Sequence, residues 1–450
     1  MTIDRRMFLR ATSAVAAAGA TSALLAACGS DSSSAGDTTE VDSSAAASAA
    51  EAGGELLVWA WDNTIEPCAQ AFMEKYPDAK VTVTNVGTSA DQYTSLQNAI
   101  SAGKGGPDVA QIEYYALPQF SISESLADLT QFGAADYEGT FTAGPWDSVH
   151  TGEGVYGLPL DSGPMAMFYN EEVFTELGVD VPTTWDEYLE AARKIHAADP
   201  SKYIASDTGD AGATLSGLWQ AGAQPYTVDG TTVTIDFSSD EAEKFSELQT
   251  TLIKEGLLAP ISPWTDEWFQ GLGDGTIAAL VTGAWMPGNF TSSVPGASGK
   301  WRVAPQPRWD ADTPACAENG GSSLAVMAAS DKQALAYSFV QFCSAQEGIQ
   351  IRIDGGAFPS TTAELDSEEF LGKEFEYFGG QKANEVLSQA AKDVLPGWTY
   401  LPFQVYANSI FNDHVGKAYT TSGATTIAEG LASWQEACIT YGNQQGFTVS

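Results

Sequence analysis

The spacing of apolar and polar positions changes character several times along the chain. "GELLVWAWDN" (Gly54–Asn63) is a short apolar run closed by Asp-Asn, which predicts a buried strand. "IEPCAQAFMEKYP" (Ile65–Pro77) carries apolar residues at helical spacing and stops at a proline. "AKVTVTNV" (Ala79–Val86) alternates and is β-branched, so it reads as a strand. "DQYTSLQNAISAGKGGPDVAQIEYY" then predicts a helix, a Gly-Pro break and another strand. Strand, helix, strand, helix, strand is the pattern of an α/β architecture with a mostly parallel sheet.

A second α/β region follows "GVYGLPLDSGPMAMFYN" (Gly154–Asn170). "PTTWDEYLEAARKI" (Pro182–Ile195) places Thr184 three residues before Glu187, the spacing of a capping box, ahead of a helical stripe. "DEAEKFSELQTTLIKEGLL" predicts an amphipathic helix. "GDGTIAALVTGAWM" predicts a strand over Ile277–Thr282 that ends at Gly283, and "DKQALAYSFVQFCSAQEGIQIRI" predicts a helix. No internal repeat is present.

The first fifty residues follow neither period. Arg5, Arg6 and Arg10 precede a short Ala-rich apolar stretch, the layout of an export signal. The stretch is too short for a permanent membrane span. "DRRMFLR" resembles a twin-arginine signal, with a general secretory signal as the alternative. "LAAC" (Leu25–Cys28) resembles the lipobox of bacterial lipoproteins, which implies cleavage before Cys28 and acylation of its sulfur. Residues 1–27 are thus expected to be a signal peptide. Residues Gly29–Gly54 are almost wholly small and polar and offer too little apolar surface to offset ordering entropy. Residues 28–54 are expected to be a lipidated cysteine and a flexible tether.

The chain is strongly acidic: 58 Asp and Glu against 20 Lys and Arg give a net charge of −38. Such a surface repels nucleic acid and anionic lipid headgroups, so the expected ligand is neutral and the only expected membrane contact is the N-terminal lipid. Beyond Cys28 there are four cysteines, Cys68, Cys316, Cys343 and Cys438, none in a C-x-x-C pair. Both disulfides and buried free thiols stay open for them.

No catalytic signature is present. The three histidines, His150, His196 and His414, are scattered, and neither H-E-x-x-H, G-x-S-x-G nor a phosphate-binding loop occurs. No metal and no cofactor are expected. The positive signal is aromatic: the chain has 12 tryptophans. Trp59, Trp61, Trp219, Trp285 and Trp398 sit where loops are expected to leave strands. A flat ring with one N–H donor suits the C–H face of a sugar, and Asp62, Glu113 and Asp161 could accept hydroxyl protons. Trp185 and Trp434 fall in helical patterns and are assigned to the core.

These motifs together resemble the extracellular solute-binding proteins of ATP-driven importers, in the sugar-binding class that includes maltose-binding protein. "GGPDVAQIEYYALPQF", "VYGLPLDSGPMAMFYNEEVFTELGVDVPTTWDEYLEAARKI", "GDGTIAALVTGAW", "ENGGSSLAVMAASDKQALAYSFVQF" and "GGAFPSTTAEL" carry the likeness, in the family's order and over nearly the whole folded chain. "YFGGQKANEVLSQAAKDVLPGWTY" is similar to actinobacterial oligosaccharide binders.

The resemblance implies two α/β lobes of the type II binding-protein fold, joined by a hinge and separated by a cleft. Lobe 1 would take 55–163 and 305–355, and lobe 2 would take 164–304 and 356–450. It implies sugar contacts at Trp61, Glu113, Asp161, Trp219, Trp285, Gly321 and Trp398. It also implies a monomer on the extracellular face of the membrane that delivers a neutral mono- or oligosaccharide to the permease of an ABC transporter. Two other functions compete: a secreted glycoside hydrolase, and a binder of a peptide or siderophore on the same fold.

Overall fold

A computed structural model describes residues 44–450. The expected signal segment and Cys28 lie outside the described residues. The expected tether reaches into them and is corrected there. Residues Ala45–Ala52 form a helix, α1, and Ala46 and Ala50 are buried in the first lobe's core. An eight-residue helix has marginal stability alone, so docking holds it. Alanine serves this well because its small side chain lets two helices approach closely.

The next elements follow the expected order: β1 (Gly54–Trp59), α2 (Ile65–Lys75), β2 (Ala79–Thr84), α3 (Ala90–Ala102) and β3 (Val109–Glu113). A short strand β4 (Leu158–Pro159) leads to the first crossing between lobes. The second lobe holds β5 (Met165–Asn170), α4 (Trp185–Ala198), β6 (Ala205–Ser206), α5 (Ala211–Ala221), α6 (Asp240–Lys254), β7 (Leu258–Ala259), α7 (Asp266–Asp274), β8 (Ala279–Gly283) and β9 (Trp301–Pro305). The chain returns to the first sheet at β10 (Ser322–Val326), followed by α8 (Gln333–Ala345) and α9 (Gly348–Asp354). Later elements include α10 (Ala383–Lys392) and α11 (Ile427–Gln444). α1 packs on α8. The capping box at α4 is formed: Thr184 Oγ1 accepts from the Glu187 N–H at 3.2 Å, and Glu187 Oε2 accepts from the Thr184 N–H at 3.3 Å.

The first sheet runs β2-β1-β3-β10-β4. β1 is parallel to β2 and β3, with Gly54 opposite Ala79 and Val58 opposite Val109. β10 is antiparallel to both β3 and β4. The second sheet, β8-β5-β9, is antiparallel throughout. The expected parallel pairing therefore holds where helices α2 and α3 make the crossovers. It gives way where a strand arrives from the other lobe and no crossover helix fixes its direction.

The first lobe has one core, from Ala46 to Cys343, around Phe72, Tyr93, Phe120 and Phe339. The second lobe is built on three clusters, around Trp434 and Phe245, around Trp301 and Phe290, and around Trp185 and Leu252. Two boundary details differ from expectation. The strand expected over 277–282 is Ala279–Gly283. Residues from 305 to the second crossing belong with the second lobe, because β9 pairs with β5 and Cys316 and Ala317 pack among second-lobe side chains.

The two crossings run side by side. Glu318 accepts from Ser162 Oγ at 2.8 Å and from the Gly163 N–H at 2.7 Å. The Asn319 N–H donates to the Gly163 carbonyl at 2.7 Å. Glycine is required at 163, since a Cβ there would lie 2.3 Å from that carbonyl's neighbour, the Asn319 oxygen. Cys68, Cys316, Cys343 and Cys438 are buried free thiols, and the Cys68 thiol donates to the Gly348 carbonyl at 3.5 Å. No helix among the described residues is long and apolar enough to cross a membrane.

Candidate ligand-binding cleft

A cavity of about 750 Å³ lies between the lobes, within the usual size range for a small-molecule site. All seven residues expected at the site line it: Trp61, Glu113, Asp161, Trp219, Trp285, Gly321 and Trp398. They arrive from different elements. The ends of β1 and β3 bring Trp61 and Glu113, the crossings bring Asp161 and Gly321, and α5 and the segment after β8 bring Trp219 and Trp285.

The first-lobe wall is held by polar bonds. Gln111 Oε1 accepts the N–H groups of Trp61 at 3.1 Å and Asp62 at 3.0 Å, which fixes the turn that presents the Trp61 ring. The Glu113 carboxylate accepts from Ser89 Oγ at 2.7 Å and from the Tyr93 hydroxyl at 2.9 Å. Burial pushes its pKa up, and hydrogen bonds from Ser89, Tyr93 and Tyr115 pull back. Asp161 accepts from the Ser322 N–H at 2.7 Å and from Ser322 Oγ at 2.8 Å. Its pKa too is raised by burial, partly offset by the Arg352 guanidinium. Gly321 has φ +95°, and a Cβ there would lie 2.5 Å from the Tyr114 ring. Glycine alone lets this backbone run past Tyr114 at the cavity wall.

The second-lobe wall is aromatic. Trp219 and Trp398 are stacked, with ring centroids 5.0 Å apart and planes 5° apart. They are only 4% and 8% exposed, and they line the cavity from within a second-lobe core cluster. Trp219 lies within α5, where a loop was expected; its Nε1–H donates to the Leu395 carbonyl at 2.7 Å. Trp285 is half-buried and donates its Nε1–H to the Asn319 carbonyl at 2.7 Å, which ties the ring to the second crossing. Trp434 is core, as expected. Trp185 is both core and cavity wall.

Several lining residues stand outside the expected set. Tyr115, Asp207, Asp210, Asn319 and Trp264 are the most informative. Asp207 accepts from the Tyr419 hydroxyl at 2.6 Å and from the Gly209 N–H at 2.8 Å, and burial pushes its pKa up to about 6. Asp210 caps α5 through the Ala213 N–H at 2.8 Å. "SPWTDEW" reads as a helix start, which hid Trp264, and the two aspartates lie in a Gly-rich loop without periodicity.

The lining contains Glu113, Asp161, Asp207 and Asp210 and no Lys, Arg or His. Acceptors and hydroxyls line a largely aromatic space, which suits a neutral, hydroxyl-rich molecule and disfavours an anion. Among the described residues no cluster of His, Cys, Asp and Glu could hold a metal ion.

The chain is similar to several known proteins in sequence and fold. The binding protein associated with an ABC transporter of B. animalis subsp. lactis, solved with β-1,6-galactobiose, matches with a TM-score of 0.80 and 47% identity. That match covers 88% of this chain and 100% of that one. The galacto-N-biose-/lacto-N-biose I-binding protein of Bifidobacterium longum matches with a TM-score of 0.77 and 26% identity, over 89% of this chain and 99% of that one. A lactose-binding protein of Rhizobium radiobacter is 27% identical over 347 residues, which are 73% of this chain and 80% of the relative. The family model for bacterial extracellular solute-binding proteins matches residues 60–350, and this chain belongs to that family.

Proposed function

We propose that this protein captures a neutral oligosaccharide in the cleft and delivers it to the permease of an ABC importer. The observation that carries the reading is the lining: aromatic rings and carboxylates from both lobes, with no cationic side chain. Trp61, Trp285 and the Trp219–Trp398 pair would meet the C–H faces of the sugar rings. Glu113, Asp161 and Asp207 would accept hydroxyl protons. Ligand touching both lobes favours the closed state, and the crossings at 161–165 and 316–321 would act as the hinge.

β-1,6-Galactobiose is the first ligand to test, because the relative that is 47% identical was solved with it. Binding without turnover is part of the proposal. Glu113 and Asp161 are each engaged by two hydrogen bonds, which suits a holding role better than proton transfer. We further propose that Cys28 carries the lipid that keeps the protein at the extracellular face of the membrane.

The test is a native mass-spectrometric screen of the full chain. The panel would hold β-1,6-galactobiose, lactose, lacto-N-biose and arabino-oligosaccharides, with anionic sugars as controls. One neutral sugar is expected to bind at one per chain and to be recovered intact after long incubation. Preference for the anionic controls, or steady release of monosaccharide, would overturn the proposal.

A further inference from the structure

Trp264 is costly to the fold in two ways. It is 50% exposed, and with Ile100 it is one of two exposed large apolar side chains among the described residues. It also sits at φ +69°, in the left-handed region, where a bulky residue is strained. The turn that holds it is closed without its ring. Thr265 Oγ1 donates to the Ser262 carbonyl at 2.9 Å and accepts from the Trp268 N–H at 3.2 Å. Glycine would adopt this turn with no strain.

The ring nevertheless has a fixed place. Its centroid is 5.1 Å from that of Trp268 and 5.5 Å from that of Trp285, with planes 45° and 35° apart. Trp285 is itself anchored to the Asn319 carbonyl. Trp264 is thus backed by the buried Trp268 ring and the anchored Trp285 ring, and it lines the cleft. Among the described residues four non-glycine residues have positive φ, and two of them, Ser89 and Trp264, line the cleft.

We propose that Trp264 is a stacking platform for a pyranose ring at the mouth of the cleft. This rests on the neutral-oligosaccharide reading above. The deep Trp219–Trp398 pair and the outer Trp264 then serve different rings of one ligand. The strain and exposure are retained because the uncovered ring face is what the ligand meets.

The test uses the full chain with Trp264→Ala, Trp264→Gly and Trp264→Phe. β-1,6-Galactobiose is titrated calorimetrically, or whichever panel sugar the unaltered protein binds most tightly. Ala and Gly should both weaken binding by at least about tenfold. They should do so equally, although Gly melts at the higher temperature of the two because it removes the left-handed strain. Phe should recover most of the affinity. Iodide quenching of tryptophan fluorescence should fall on sugar addition in the unaltered protein and change less in Trp264→Phe. Binding within twofold in Trp264→Ala, or affinity that follows melting temperature across the variants, would overturn the inference. If the unaltered protein binds no neutral sugar, the reading beneath it fails as well. If it binds and the Ala and Gly variants bind as tightly as the unaltered protein, only this inference fails.

Discussion

At the scale of single residues, Trp285 separates a binding role from a packing role. Its ring is half-buried and its N–H is tied to the Asn319 carbonyl on the second crossing. Losing a hot-spot aromatic costs about 2–4 kcal/mol of binding. Trp285→Ala should therefore weaken sugar binding roughly thirty- to a thousandfold. The melt without sugar should change little. Calorimetry and a thermal melt on the same preparation read both quantities. Normal affinity with a collapsed melting temperature would make Trp285 a core residue.

The tryptophans were legible in sequence because Trp61, Trp285 and Trp398 each stand within two residues of Gly, Pro or Asp at a strand or loop end. Trp264 was not, because Pro and Thr around it signal a helix start and its positive φ leaves no mark in sequence. Asp207 and Asp210 were hidden for a related reason. Their role follows from Tyr419, more than two hundred residues away, and from the fold of α5.

At the scale of elements, the crossing strands carry a buried acid. Burial pushes the Glu318 pKa up to about 7, against donation from Ser162 and Gly163. A carboxyl whose folded pKa is raised stays protonated after its unfolded counterpart has ionised. The folded state then holds more protons, so stability falls as pH rises from about 4.5 to about 7 and is level above. Glu318→Gln has no such proton to lose. Its stability relative to the unaltered protein should improve by about 3 kcal/mol between pH 4.5 and pH 8. Denaturant melts of both proteins at several pH values measure this. A difference that does not vary with pH would mean that Glu318 is ionised in the fold.

The local elements around this crossing follow their sequence patterns closely. β1, α2, β2, α3 and β3 stand where apolar period, proline and β-branching place them. Two things did not show. α1 shares the Ala- and Ser-rich composition of the segment before it, and only docking on α8 makes it a helix. The antiparallel partners of β3 and β5 come from distant parts of the chain, and local patterning carries no information on strand direction between lobes.

At the scale of the whole molecule, net charge and the cleft lining point the same way. A chain of net charge −38 keeps anions away, and the cleft offers none of the cationic side chains that would reverse this. A charge of this sign gives no attraction to anionic lipid, so membrane attachment would need another means. Durable attachment takes more than one acyl chain, and the cysteine of the "LAAC" stretch is the proposed carrier. Cys28→Ala should move the protein from membranes to the soluble or culture fraction, as read by fractionation. Unchanged membrane retention would count against Cys28 as the anchor.

The proposed occupant of the cleft is a neutral oligosaccharide. The most direct measurement is a calorimetric titration of the full chain with β-1,6-galactobiose, and then with the rest of the neutral panel. A saturable isotherm is expected for at least one of these sugars, with one site per chain, and the sugar recovered intact. No saturable heat for any neutral sugar, with a clear isotherm for a charged ligand, would contradict it.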